Sequence, residues 1–314
     1  GEDTLLKEND YTIGMYNINT TDVMLLFTNL GNYLYLPVYD IPECKWKDLG
    51  KHISNIIPLM DNEKIVYSMF VSDFDEEKYI TSFSKNGMIK RTLLSEFKAQ
   101  RYSKPIKMMN LKDGDEIVSV TDSSDSEIFI ATSCGYGLWY DVSEVPVVGI
   151  KAAGVKSINL KDDYVVSGIL FDAGSEYITI LTDKGTGKRV KLLEFEKTSR
   201  AKRGILLMKV IKSNPSRVIS VYIEDSKSLI GIVSDNYTKE VKITEIPIMD
   251  RYSNGSYVIK DRILSSYNIK GMETYNDKEK EDKTSVKVEK SAVSLKEIDD
   301  KLSSIDSIIN DSYE

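Results

Sequence analysis

The 314-residue sequence holds one histidine, His52, two cysteines, Cys44 and Cys134, two tryptophans and seven prolines. A single histidine leaves no cluster of imidazoles to hold a metal and argues against histidine-dependent acid–base catalysis. The two cysteines are 90 residues apart and form neither a metal-ligand spacing nor a disulfide framework, which points to a reducing compartment. No apolar run approaches the roughly 18 residues of a membrane-spanning helix, and no signal peptide opens the chain. A Walker-type phosphate loop is missing. Gly135-Tyr136-Gly137 and Gly185-Thr186-Gly187 are turn glycines, not a dinucleotide fingerprint. The carboxylate pairs Asp73/Asp75, Glu76/Glu77 and Asp162/Asp163 face no nucleophile or second acid, so no catalytic residue and no metal ligand is assigned. The chain begins Gly1-Glu2-Asp3-Thr4, without methionine, as expected of a fragment of a longer protein.

What the sequence does contain is a repeat. An apolar strand, a tight polar turn and a returning strand recur five times, with turns ending at positions 31, 87, 135, 185 and 237. The separations are 56, 48, 50 and 52 residues, a period that signals a propeller or an array of small antiparallel sheets. The first strands are expected at 23–27, 79–83, 127–131, 177–181 and 229–233, and glycine ends four of the five turns, where positive φ is cheap. A short acidic-apolar corner follows each returning strand, and Pro42, Pro146 and Pro247 stop three of them. Two further strands complete each unit, joined in the second by an expected hairpin turn at Lys112-Asp113-Gly114-Asp115. Four strands per unit make one blade. Residues 5–18 match only the second half of a unit. Hydrophobic residues make up 41%, enough for a proper core, and the 19 tyrosines suit half-buried strands.

The pattern stops after Lys270. Residues 271–292 read as an acidic disordered linker, and residues 293–314 as an amphipathic helix with an apolar seam at Leu295, Ile298, Leu302, Ile305 and Ile309. The net charge of −7 is uneven. Residues 271–314 hold 7 Lys against 12 acidic side chains, which leaves residues 1–270 at −2. Basic side chains in that body gather in loops after the corners: Lys45, Lys47 and Lys51; Lys98, Arg101 and Lys104; Lys151 and Lys156; Arg200, Lys202 and Arg203. A fifth loop, 250–255, is weak. Repetition of cations at one place in successive units is what backbone recognition of a duplex needs, since phosphates supply a sequence-independent attraction. Gly154, Gly204 and Ala201 would let main-chain N–H groups approach phosphate too. Lys90-Arg91 and Lys188-Arg189 lie on returning strands, either as charges guarding an exposed edge or as phosphate contacts. The acidic tail suggests that residues 277–300 fold back over the basic loops and compete with a duplex for them.

The stretches Phe27-Thr28-Asn29-Leu30-Gly31, 51–58, Asn86-Gly87-Met88-Ile89-Lys90, 152–160 and Lys202-Arg203-Gly204-Ile205, in this order and spacing, carry a resemblance. Over residues 1–270 the chain resembles the C-terminal domain of the A subunit of bacterial type IIA topoisomerases, on the topoisomerase IV side of that family. The resemblance implies an all-β β-pinwheel, a propeller-like disc of about six four-stranded blades, five complete in this chain plus a partial first, whose blades exchange strands. It implies a non-catalytic module that binds and bends duplex DNA, with the cleavage tyrosine elsewhere in the parent protein. Mg2+ and ATP would belong to other domains or to a separate polypeptide, so no cofactor is expected here. The implied partners are duplex DNA, the N-terminal part of the same polypeptide and the ATPase B subunit in the parent heterotetramer. The implied location is cytoplasmic and nucleoid-associated. The Gln-Arg-Arg-Gly-Gly-Lys-Gly box of gyrase subunits has only degenerate echoes at 100–105 and 200–204, which favours topoisomerase IV. A gyrase wrapping domain and a protein-binding propeller scaffold remain the alternatives.

Overall fold

The computed structural model describes residues 16–45 and 48–269. In chain order the strands are β1 (Val23–Thr28), β2 (Asn32–Pro37), β3 (Ile65–Val71), β4 (Tyr79–Ser84), β5 (Met88–Leu93), β6 (Ile106–Lys107), β7 (Ile117–Thr121), β8 (Glu127–Thr132), β9 (Tyr136–Asp141) and β10 (Val155–Lys156). They continue as β11 (Val165–Phe171), β12 (Tyr177–Thr182), β13 (Thr186–Lys191), β14 (Ile205–Leu206), β15 (Val218–Tyr222), β16 (Leu229–Ser234), β17 (Thr238–Lys242), β18 (Ser256–Tyr257) and β19 (Ile263–Asn268). They form five antiparallel sheets, and the only helices among the described residues are short 3-10 turns.

Each sheet is built on a hairpin. The turn glycines Gly31, Gly87, Gly135 and Gly185 have φ between 77° and 89°, where a β-carbon would be strained. The following inner strand pairs with the first hairpin strand, giving the orders β3-β1-β2, β7-β4-β5, β11-β8-β9, β15-β12-β13 and β19-β16-β17. Inner strands of successive sheets touch one another. A serine on one often bonds to the next: the Gly168 amide donates to Ser119 Oγ at 3.1 Å, and the Val221 amide to Ser167 Oγ at 3.2 Å. The first strand of each hairpin is the most enclosed, with nearly all of its residues buried on both faces, so it reads as a mostly apolar run rather than an alternation. The core lies in the wedges between blades: Phe83 and Ile89 of one sheet pack with Ile128, Ile130 and Tyr140 of the next.

Units two to five each contribute four strands, but one strand of each leaves its unit to become the outer strand of the preceding sheet, the exchange that the resemblance implies. The two residues of each outer strand thus come from the following unit. Strand β6 pairs with β2, β10 with β5, β14 with β9 and β18 with β13. The hairpin tip clasps the incoming segment, since the Gly31 carbonyl accepts both the Met108 and Met109 amides, at 2.8 and 3.1 Å. The fifth sheet therefore has three strands rather than the expected complete four. The turn at 112–115 does form, with Asp115 N donating to the Lys112 carbonyl at 3.0 Å. It joins strands of different sheets, however, and is not a hairpin. The half-unit expected at 5–18 falls almost wholly outside the described residues, and the linker and helix expected at 271–292 and 293–314 fall entirely outside them.

Candidate nucleic-acid interface

After the second hairpin strand of units two to five the chain makes a 3-10 turn at the corner: Leu94–Phe97, Val142–Glu144, Leu192–Glu194 and Ile243–Glu245. It then crosses to the outer edge of the preceding sheet. The basic loops of the second, third and fourth units are these crossovers, whereas Lys45 and Lys51 lie on the connection between β2 and β3 of one and the same sheet. Three corner carboxylates fasten them. Glu96 accepts the Ile150 amide at 2.7 Å, Glu144 accepts the Arg200 amide, and Glu194 accepts the Arg251 amide at 2.7 Å. A carboxylate accepting a main-chain N–H is a strong, charge-assisted bond, so the corner acids that recur in the sequence fix the loops beside them.

Crossover glycines complete the docking. Gly154, Gly204 and Gly255 have φ of 79°, 84° and 81°. A β-carbon on Gly154 would strike the Ile89 carbonyl, and one on Gly204 the Gly137 carbonyl. These glycines face the preceding blade, and the Ala201 amide donates to the Ser157 carbonyl at 2.8 Å. The expectation that Gly154, Gly204 and Ala201 free the main chain for phosphate is therefore replaced by a packing role.

The side chains of Lys45, Lys51, Lys98, Arg101, Lys104, Lys151, Lys156, Lys202 and Arg203 are exposed. Among the described residues none of them has a carboxylate within 4.0 Å. Arg203 lies over the Tyr136 ring at 4.3 Å, and Lys156 Nζ donates to Asn159 Oδ1 at 2.9 Å. Arg200 is engaged differently: its guanidinium donates to the carbonyls of Glu144 at 3.1 Å and Lys156 at 2.5 Å, which ties two crossovers together. Lys47 lies outside the described residues. Lys197, in the same loop as Arg200, is neutralised by Glu127 at 2.8 Å and Asp141 at 3.0 Å. Lys107 is not among the cations that the sequence pattern singles out. It is exposed on β6 at the place Lys156 holds on β10, and that equivalence is the available signal.

Lys90 and Lys188 fit neither sequence expectation. Each is only 2% exposed. Lys90 Nζ donates to the carbonyls of Met108 and Ile150, and Lys188 Nζ to those of Asp250, Arg251 and Ser253 at 3.2, 2.7 and 2.6 Å. Burial pushes both ammoniums down to about 8. Their neighbours Arg91 and Arg189 lie over Tyr79 and Tyr177 and donate to carbonyls at the next corner, including Arg189 Nε to Ile246 at 2.7 Å. The paired acids are local turn-makers: Asp163 Oδ1 accepts the Cys134 and Tyr164 amides at 2.9 and 2.8 Å, and Asp73 Oδ1 the Asp75 amide at 2.9 Å. No group of three or more His, Cys, Asp or Glu among the described residues is arranged to hold a metal ion, and no described helix is long and apolar enough to cross a membrane.

The architecture has known counterparts. The sequence profile of a family described as DNA gyrase C-terminal domain, beta-propeller, matches residues 22–72, 78–122, 126–171 and 176–223. Over 260 residues the chain is 46% identical to the A subunit of DNA topoisomerase 4 from Bacillus subtilis (strain 168), covering 82% of this chain and 32% of that protein. The corresponding figures for the A subunit of DNA topoisomerase 4 from Staphylococcus epidermidis are 37% over 258 residues, 81% and 32%. Among solved structures, a crystal structure of the C-terminal domain of DNA topoisomerase IV aligns with a TM-score of 0.82 at 42% identity, covering 85% of each chain. A structure of the DNA gyrase A C-terminal domain aligns at 0.63 with 20% identity, covering 80% of this chain and 83% of that one, a likeness of fold alone. The chain thus spans 32% of the length of these curated relatives.

Proposed function

The chain belongs to the DNA gyrase C-terminal domain, beta-propeller family, and on that premise we propose that it is a non-catalytic module that captures and bends duplex DNA for a topoisomerase IV-type enzyme. The observation that carries the reading is a set of cations left without carboxylate partners on crossovers that corner acids, glycines and buried lysines hold in place. Lys98, Arg101, Lys104 and Lys107, then Lys151 and Lys156, then Lys202 and Arg203 occupy crossovers of successive units, and Lys45 and Lys51 the connection between β2 and β3 of the first sheet. Such an array attracts phosphates independently of base sequence, because contacts to the phosphate backbone carry no sequence information directly. In this reading the bent segment is presented for ATP-dependent strand passage, in decatenation and relaxation. Mg2+, ATP and the cleavage tyrosine act elsewhere in the parent protein and in its B-subunit partner, in the cytoplasm at the nucleoid. The 46% identity to the A subunit of DNA topoisomerase 4 from Bacillus subtilis, against 20% to the gyrase A C-terminal domain, supports this over chiral wrapping of the gyrase type.

The double substitution Lys202→Glu plus Arg203→Glu tests it in a duplex-binding titration. The expected result is weaker binding to every sequence alike. Loss confined to one sequence contradicts backbone recognition.

A further inference from the structure

The third residue after each turn glycine is Leu34, Lys90, Leu138 or Lys188, and all four are at most 2% exposed. The site is apolar in two blades and holds an ammonium in the other two. Lys90 is the more telling case. Its Nζ donates to the Met108 carbonyl, which belongs to the segment that crosses from the second unit to the first sheet. It also donates to the Ile150 carbonyl, which belongs to the crossover from the third unit to the second sheet. Met108 directly follows Lys107, and Ile150 directly precedes Lys151; both lysines are exposed and have no carboxylate within 4.0 Å among the described residues. One buried cation therefore grips the main chain next to an exposed cation on each of two successive crossovers.

We infer that Lys90 is a positioning residue that sets the spacing of Lys107 and Lys151 along the DNA track without touching DNA itself. The inference rests on the proposed DNA-binding reading. Two carbonyls on one ammonium fix both loops against a common point inside the sheet, where water does not compete for the donor. A leucine at the same place, as in the first and third blades, fills the volume but leaves the two loops uncoupled.

The test is a double-mutant cycle on duplex binding with the full chain. Lys90→Leu, a residue the fold accepts at the equivalent positions, is expected to weaken binding about tenfold and to make the plot of log K against log salt shallower by about 2, as two phosphate contacts lose register. A direct Lys90 contact would change the slope by only about 1. In a Lys107→Gln/Lys151→Gln background, Lys90→Leu is expected to have no further effect on binding, although it still alters thermal stability. That split separates positioning from general loosening of the fold. If Lys90→Leu does not unfold cooperatively, Lys90→Gln takes its place in the same cycle. Unchanged binding by the Lys90 variant overturns the inference, as does equal loss in both backgrounds. A neutral Lys107→Gln/Lys151→Gln variant overturns it too while leaving the DNA-binding reading standing, provided the parent chain binds duplex. Failure of the parent chain to bind at low salt instead defeats that reading, and the inference with it.

Discussion

An ammonium enclosed by protein keeps its charge only where acceptors replace water, and Lys90 and Lys188 find theirs in main-chain carbonyls. Glu96 is the acid nearest in effect to Lys90, while Asp250, Glu194 and Arg251 act on Lys188, and burial outweighs them all. Both groups release protons near pH 8 in the fold, against 10.5 when unfolded. Between those values the unfolded chain binds more protons, so stability rises with pH across that window, by up to about 3 kcal/mol per lysine. The tyrosines act in the opposite sense. Burial pushes Tyr33 up to about 12 from 10.0, and Tyr140 higher still. Unfolded tyrosines ionise first, and stability falls above pH 10. Urea unfolding from pH 7 to 11 is expected to give a maximum near pH 10. Lys188→Met should halve the rise that precedes it, and Lys90→Leu with Lys188→Met should abolish it. A flat profile from pH 8 to 10 in the parent chain contradicts this account of the lysines.

At the scale of elements, the design problem is to attach each crossover to a sheet it does not belong to in sequence. A two-residue strand offers few ladder bonds, so glycine and glutamate share the task. Gly204 has no room for a side chain against the Gly137 carbonyl, whereas Gly114, with φ of 76°, has nothing within 4 Å of its missing β-carbon. Gly114→Ala therefore meets only the positive-φ penalty, about 1 kcal/mol. Gly204→Ala meets that penalty and a main-chain collision, and is expected to cost at least about 2 kcal/mol more, from the strain scale of unfavourable backbone sites. Thermal unfolding of the two variants side by side checks the difference. The same geometry explains what was legible beforehand. Strands β1, β4, β8, β12 and β16 begin where the repeat pattern puts them, because a six-residue, mostly apolar run ending at a tight polar turn carries a clear signal. The exchanged strands carry none, since two residues show no periodicity, and their pairing is set by a hairpin one repeat earlier. The exposure of most rim cations can be read from their loops. The burial of Lys90 and Lys188 cannot, because a lysine on a strand looks like a solvent-facing edge until the next unit's carbonyls are in place. Arg200 misleads for the same reason: its partners, Glu144 and Lys156, lie 56 and 44 residues away.

For the whole molecule, the repeat converts a local motif into a surface. Each unit after the first contributes a hairpin, an inner strand and a crossover, and the crossovers of the second to fourth carry exposed cations to the sheet before them. The first 270 residues are nearly neutral, with a net charge of −2. Any attraction for a polyanion must therefore come from where the cations sit, since charges separated by more than about 8 Å are screened at physiological salt. The weak fifth loop fits this scheme: its Arg251 donates to the Leu206 carbonyl at 2.6 Å and stacks over Tyr252, so it tightens the structure rather than extending the track. The account stands most directly on the salt dependence of duplex binding by the intact chain. With about six phosphates neutralised along the crossovers, log K should fall linearly with log salt at a slope near −5. A slope near zero, or no binding at low ionic strength, would contradict it.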